Sequence, residues 1–316
     1  RKYFFRYASE FGFQSFPSVK TLETVTDDPR ELNPFSYVME KHQRNYGGNG
    51  KIAKYMQAAY RYPENFSDFV YASQLLQADG IRYGVEHYRR NRGRCMGAIY
   101  WQLNDCWPVI SWSSIDYYGR WKALHYYAKR FFAPVMLSCE EQSWMTVEAD
   151  MNRQHFEFEK SIRLNVTNET LSARKVLVKF AVRDASAKIL RQEERWVEVP
   201  ALSSVWMDKV ELPGIDCFNE YVSYEAWENE KIISQGTVIF SYPKYFHYQD
   251  PKLSVRVEGD EIIVSAEAYA KSVEIQNEND DLILEDNYFD MNAGERRVKI
   301  LDGKPENLKV RSVYDI

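Results

Sequence analysis

Apolar residues follow two different rhythms along this chain, and the change comes near Val135. From Gly50 to Arg61, Ile52, Tyr55, Met56 and Ala59 recur at helical spacing. A longer helix opens at Asn65, which can cap it, with Asp68 in its first turn. It carries Phe69, Leu76 and Tyr83 at seven-residue steps and ends in YRRNRG, where cations and a glycine suit the carbonyl end. Cys95 to Asp105 is a continuous apolar run after Gly93, which predicts a strand buried on both faces. Gly119 to Phe132 predicts another helix, stopped by Pro134. The run Tyr3, Phe4, Phe5, Tyr7 predicts a strand over Lys2 to Ser9, and the segment from Ser15 to Tyr46, broken by Pro17, Pro29 and Pro34, reads as loop with room for one short helical turn. Strand, long helical crossover, strand, helix is the rhythm of an α/β barrel.

After Val135 the period becomes two. Ile162, Leu164 and Val166 alternate with polar residues, as do Val176, Val178, Phe180 and Val182, and the text from Tyr221 to Phe240 reads as a hairpin around Glu228-Asn229-Glu230-Lys231. Short strands at regular spacing predict an antiparallel sandwich. A charged aromatic link, Ser241 to Leu253, precedes a last unit that turns at Gly259-Asp260. The expected fold class is α/β plus all-β, with domains at 1–134, 135–248 and 249–316. The last is small enough to need a neighbour's support.

Composition narrows the function classes. A net charge of -5, with the signs mixed along the chain, offers no basic stripe for nucleic acid, and no apolar run is long enough to span a membrane. Cys95, Cys106, Cys139 and Cys217 have no CxxC spacing and read as free thiols. His42, His87, His125, His155 and His247 form no ligand pair, so neither metal nor cofactor is expected. Three sequons, at Asn65, Asn165 and Asn168, are a chance number and leave the compartment open. Aromatics make up 15% of the chain, and such rings either pack sandwich cores or stack on sugars.

One charge stands out. Glu10, in Ala8-Ser9-Glu10-Phe11-Gly12-Phe13-Gln14-Ser15, ends the predicted first strand among aromatic neighbours, a position that is on composition alone more often structural than catalytic. The segment SEFGFQSFPSVKTL resembles the nucleophile segment of the β-mannosidases of glycoside hydrolase family 2. KHQRNYGGNGKI, the run from Met96 to Pro134 opening MGAIYWQLNDCWP, EDNYFDMNAGE and the closing VRSVYDI then follow in that family's order.

The resemblance implies the C-terminal part of a TIM barrel followed by two immunoglobulin-like β-sandwiches, acting in a retaining hydrolase that removes terminal β-D-mannose from glycans. It implies Glu10 as nucleophile at the end of the seventh barrel strand, and Trp101 on the eighth as the floor of the sugar pocket. Asn104, Asp105, Trp107 and Trp112 lie on the following loop and could line that pocket or brace it. His42 and Gln43 match a family segment, and His42 reads as a helix-packing or loop-stapling histidine. A retaining glycosidase needs a second carboxyl group about 5–5.5 Å from the first. The family carries it in an Asn-Glu pair, but Asn219-Glu220 and Asn229-Glu230 both lie in sandwich text. The acid/base is therefore expected upstream of this chain, and the chain alone is expected to be inactive and to self-associate through unpaired strand edges. Two other readings stand beside this one: an accessory module in which the sandwiches bind polysaccharide or brace a barrel, and β-galactosidase or β-glucuronidase specificity on the same scaffold. In similar enzymes the compartment is periplasmic, secreted or lysosomal, and a cytoplasmic one stays open here.

Overall fold

A computed structural model describes residues 2–147 and 158–316. The chain forms two compact units. One gathers the residues up to Tyr7, Glu86–Gly97 and Arg130–Gln249; the other gathers Ala8–Val85, Ala98–Lys129 and Asp250–Ile316.

In the second unit the first strand, β1 (Ala8–Phe11), pairs in parallel with β2 (Ala98–Tyr100), in the register Ala8 to Ala98 and Phe11 to Tyr100. Both are shorter than the sequence suggests. The predicted strand over Lys2 to Ser9 begins only at Ala8. Ahead of it, in the first unit, the carbonyls of Tyr3 and Phe4 go to the His87 ring at 2.8 Å and Arg94 Nε at 3.1 Å rather than to a ladder. The run around β2 is not buried on both faces either: Met96 is 59% and Ile99 50% exposed. Among the described residues these two strands form a two-stranded sheet of their own.

Two short helices follow β1, α1 (Val19–Leu22) and α2 (Tyr37–Lys41), and then α3 (Gly48–Ala59) and α4 (Phe66–Arg90). Asn65 caps α4 as its sequence predicts: its Oδ1 accepts from Asp68 N at 2.9 Å and its Nδ2 donates to Asp68 Oδ2 at 2.7 Å. The helix predicted over Gly119 to Phe132 is the shorter α5 (Ala123–Phe131).

Most of the first unit is a β-sandwich. One sheet holds β3 (Val135–Gln142), β4 (Ser161–Asn168), β7 (Ser203–Trp206) and β8 (Val210–Glu211). The other runs in the order β10 (Lys231–Ile239), β9 (Glu220–Glu228), β5 (Arg174–Asp184), β6 (Ile189–Val199). The alternation read from sequence is the inward face: Leu137, Cys139, Ile162, Leu164 and Val166 meet Val176, Val178, Phe180, Val222, Tyr224 and Phe240 in one core. Asn229 and Glu230 form the β9–β10 turn with φ of 49° and 62°, the left-handed geometry of a tight hairpin.

The C-terminal strands lie in the second unit. β11 (Ser254–Glu258), β12 (Glu261–Ala266), β16 (Gly294–Asp302) and β14 (Ile283–Leu284) form one sheet; β15 (Phe289–Met291), β13 (Ala270–Gln276) and β17 (Lys309–Arg311) form the other. A buried polar chain ties them to α4. Arg311 pairs with Glu274, donates from Nη1 to Ser67 Oγ at 3.0 Å and Asp68 Oδ1 at 3.1 Å, and lies over the Tyr71 ring at 4.4 Å. Glu274 accepts from Tyr288 Oη at 2.6 Å, and Tyr288 in turn reaches Gln74 at 3.4 Å. Burial and the adjacent Glu274 carboxylate raise the Tyr288 hydroxyl far above its ordinary pKa, so it stays a neutral donor.

Removing one member of a buried ion pair leaves the other charge stranded, at a cost of about 3–5 kcal/mol. Arg311→Leu is expected to lower unfolding stability by about 3 kcal/mol, read as a lower urea midpoint at unchanged slope. A midpoint within error of wild type would show that the pair contributes nothing.

Candidate active site

The two parallel strands point their C-terminal ends at one region of the second unit. Glu10 stands exposed near the end of β1, and Trp101, 48% exposed, directly follows β2. Trp101 N donates to Phe11 O at 2.8 Å, which continues the strand pairing past Glu10, and the Trp101–Gln102 peptide is cis. Gly12 explains the Phe-Gly that follows Glu10: a Cβ there would lie 2.3 Å from Trp101 O and 2.8 Å from Trp112 Cδ1, so only glycine lets the two chains approach so closely.

Beyond the strand ends the ladder gives way to isolated bridges, and buried side chains join them in holding the loops. Gln77, fully buried on α4, donates from Nε2 to Phe13 O at 2.8 Å, Trp112 O at 3.0 Å and Ser113 O at 3.3 Å, and accepts from Ser15 Oγ at 2.7 Å. It therefore bonds the loop after β1 and the loop after β2 at once. Ser15 N donates to Ser111 O at 2.9 Å, and Lys122 Nζ reaches Ser15 O at 3.3 Å and Ser111 O at 3.5 Å. Burial lowers the Lys122 pKa to about 8, against the opposing pull of Asp105 and Asp116.

The predicted pocket residues fall into different environments. Asp105 is buried. Its Oδ2 accepts from Ser111 Oγ at 2.9 Å and Ser113 Oγ at 2.6 Å, and its Oδ1 from Gln102 Nε2 at 3.2 Å, so the carboxylate organises the loop from within. Asn104, three positions after Trp101, is exposed. Trp107 is half-buried between the His42 ring, stacked at 4.9 Å, and the Arg44 guanidinium at 4.4 Å. His42 is a staple: its Nδ1 lies 2.6 Å from Pro108 O, while Ile110 N donates to His42 O at 2.8 Å. Gln43 accepts from Gln14 Nε2 at 2.7 Å and donates to Asn49 Oδ1 at 2.9 Å, which ties α3 to the β1 loop.

Gln14, Gln77 and Lys122 were not singled out by the sequence reading. The available signal was polar residues at helical spacing, Gln74 and Gln77, interrupting the apolar face of α4 that carries Val70, Ala78 and Ile81. Asn219 and Glu220 lie at the start of β9 and Asn229 and Glu230 in its hairpin turn, all in the sandwich unit. No cluster of metal-ligating side chains occurs among the described residues, and His155 lies outside them. All four cysteines are free and only Cys106 is exposed. Of the sequon asparagines, Asn165 and Asn168 are fully buried, Asn168 with its amide bonded to Ser172 O and Val199 O.

Residues 160–245 match the family of Mannosidase Ig/CBM-like domains, and residues 248–316 match an Ig-fold domain family that carries the mannosidase name. These two regions are thus immunoglobulin-like domains of the mannosidase kind. Over 98% of its length the chain is 30% identical to β-mannosidase B of Thermothelomyces thermophilus, covering 39% of that protein. Over 42% of its length it is 39% identical to the β-mannosidase of Capra hircus, covering 16% of it. The crystal structure of the β-D-mannosidase from Dictyoglomus thermophilum superposes with a TM-score of 0.82 at 26% identity, over 97% of this chain and 37% of that one. The exo-chitosanase CsxA of Amycolatopsis orientalis shares the fold at a TM-score of 0.70 and 16% identity, over 100% and 41% of the two chains. The chain belongs to the β-mannosidase family of glycoside hydrolase family 2, and it spans about two fifths of the length of the relatives that match it throughout.

Two outcomes test the loop clamp. Gln77→Ala strands buried carbonyls and is expected to lower stability by about 3 kcal/mol by urea unfolding; a change under about 0.5 kcal/mol would show that the clamp is dispensable. Because the folded Lys122 pKa of about 8 lies below the ordinary 10.5, the unfolded chain holds one more proton between those values. Folding stability therefore rises as pH climbs through that window, by up to about 3 kcal/mol from this group. Lys122→Met should remove that rise, seen by comparing urea midpoints at pH 7.5 and about 10; an identical rise in both proteins would assign it elsewhere.

Proposed function

We propose that the natural protein carrying this chain is a retaining β-mannosidase that releases terminal β-D-mannose from glycans, with Glu10 as its nucleophile. The supporting observation is the pairing of an exposed glutamate near the end of one parallel strand with an exposed tryptophan at the end of its neighbour. Relatives named β-mannosidase favour mannose over galactose or glucuronic acid. In this reading residues 1–134 are the closing part of a TIM barrel whose seventh and eighth strands are β1 and β2, and 135–248 and 249–316 are the two sandwiches. The loops beyond β1 and β2 then stand at the C-terminal face, where such barrels place their chemistry.

The Glu10 carboxylate attacks the anomeric carbon as the bond to the leaving oxygen breaks, and that oxygen takes a proton from a second carboxyl group. The glycosyl ester formed on Glu10 is then cleaved by water, activated by the same second group, and Glu10 leaves as carboxylate with retention of configuration. The second carboxyl belongs to barrel strands beyond these residues. The Trp101 face receives the apolar face of the sugar, with Asn104 and Trp107 at the rim and Asp105 holding the loop that presents them. Without its acid partner the chain alone is inactive, since general acid help is worth roughly 10²–10⁴ in rate.

Glu10→Gln in the longest natural polypeptide carrying this chain is expected to abolish turnover of aryl β-mannosides while leaving the thermal midpoint in place, and NMR of the wild-type reaction should show β-mannose as the first product. An active Glu10→Gln protein, or α-mannose as first product, would overturn the assignment.

A further inference from the structure

The outward face of the sandwich sheet β10-β9-β5-β6 has an order that its core does not require. Strand register sets Ile232, Trp227, Leu177 and Trp196 side by side in one row across all four strands. Trp196 is 63% and Ile232 41% exposed. The next row on this face is Gln235, Glu225, Lys179, Glu194, and the one after it Thr237, Ser223, Ala181, Gln192. An apolar row, a charged row and a row of small or uncharged residues thus run parallel, and the small residues leave a cleft of about 290 Å³ lined by Lys179, Ala181, Arg183, Gln192, Ser223 and Glu225.

We propose that this face binds a neutral oligosaccharide. Two indole rings lie two strands apart, roughly 10 Å, a span that two linked pyranose rings can cover. A pyranose has an apolar C–H face suited to an indole and a rim of hydroxyls that need both donors and acceptors. The adjoining row supplies both. Lys179 Nζ lies 3.6 Å from Glu194, Glu225 accepts from Trp227 Nε1 at 2.8 Å, and Arg183 Nε donates to Ser223 Oγ at 2.9 Å. Because Lys179 and Arg183 together balance Glu194 and Glu225, an anionic or cationic ligand gains no net attraction from the four, whereas hydroxyls can join each pair without separating it. Lys175 Nζ lies over the Trp196 ring at 5.4 Å and Lys179 Nζ over the Trp227 ring at 5.2 Å, so a stacking sugar has to displace these long side chains from the ring faces. A peptide strand would instead add to a sheet edge, where backbone groups are free to pair.

The inference does not rest on the hydrolase reading, and its test keeps the two apart. The full chain carrying Glu10→Gln is titrated by calorimetry and tryptophan fluorescence with β-1,4-mannotriose, cellotriose and N-acetylchitotriose. Binding of at least one with a dissociation constant below about 1 mM is expected, weakened about tenfold or more by Trp196→Ala and by Trp227→Ala and largely retained in Trp196→Phe. Both tryptophans lie on the outward face, and circular dichroism checks that the variants keep the sandwich. No binding of any of the three at about 10 mM would overturn the proposal. So would binding that survives both alanine changes but is lost in Trp101→Ala, a result that would leave the hydrolase reading standing.

Discussion

A single glutamine side chain holds together the region on which the proposed chemistry depends. Gln77 has two N–H donors and one carbonyl oxygen, and it spends them on Phe13, Trp112 and Ser113 carbonyls and on the Ser15 hydroxyl. Those groups belong to loops that leave β1 and β2, where the parallel ladder has ended and backbone polar groups would otherwise be buried without partners. A helix can supply one such bond from each turn, and a long neutral amide reaches two loops without bringing a charge inside. Lys122 serves the neighbouring carbonyls of Ser15 and Ser111 less cheaply, as its depressed pKa records. The separation of Glu10 from Trp101 is therefore set by one strand register and by buried side chains rather than by an extended sheet.

The same helix face meets the C-terminal strands one turn earlier. Gln74 bonds Phe16 O at 3.2 Å and accepts from Ala123 N at 3.1 Å at the start of α5, and it also meets Tyr288. Through Tyr288, Glu274 and Arg311 the polar chain returns to Asp68 in the first turn of α4. A β unit of this size buries too little apolar surface to be robust alone. Here its stability is coupled to the loops around Glu10 through residues three apart on one helix, so damage to the chain at Arg311 should loosen Gln74 before it reaches Gln77.

Periodicity revealed what depends on periodicity. The alternation of Val176, Val178, Phe180 and Val182 is the sandwich core, and the caps and turns at Asn65, Asn229 and Gly259 stand where their backbone chemistry requires. The short parallel strands were less legible: Lys2 to Tyr7 has strand-like composition, yet the carbonyls of Tyr3 and Phe4 go to side chains and that of Arg6 to a backbone group, Met96 N, and no pattern in the segment itself records that. The candidate site was drawn from motif resemblance and only partly from residue type. In sequence Asp105 reads as either lining the pocket or bracing its loop, and only the structure brings to it the two serines six and eight positions later, Ser111 and Ser113. Gln77 was nearly invisible, because a glutamine on a helix is usually a solvated one.

The two surfaces proposed to meet sugar are built on different physics, and they should respond differently to change. On the sandwich, the row from Ile232 to Trp196 is fixed by strand pairing, with Trp227 and Leu177 paired on both sides and Ile232 and Trp196 on the edge strands, so the platform survives loss of any one side chain and only the affinity follows the substitution. Around Glu10 the positions depend on a few buried polar bonds and on the absence of a Cβ at Gly12, so changes that never touch a sugar can displace the groups that do. Catalysis tolerates displacement poorly, since attack geometry must hold to a fraction of an ångström, while stacking on an open face tolerates it well. The glutamine, the buried lysine and the glycine beside β1 are what such precision requires of a site that an extended ladder does not reach.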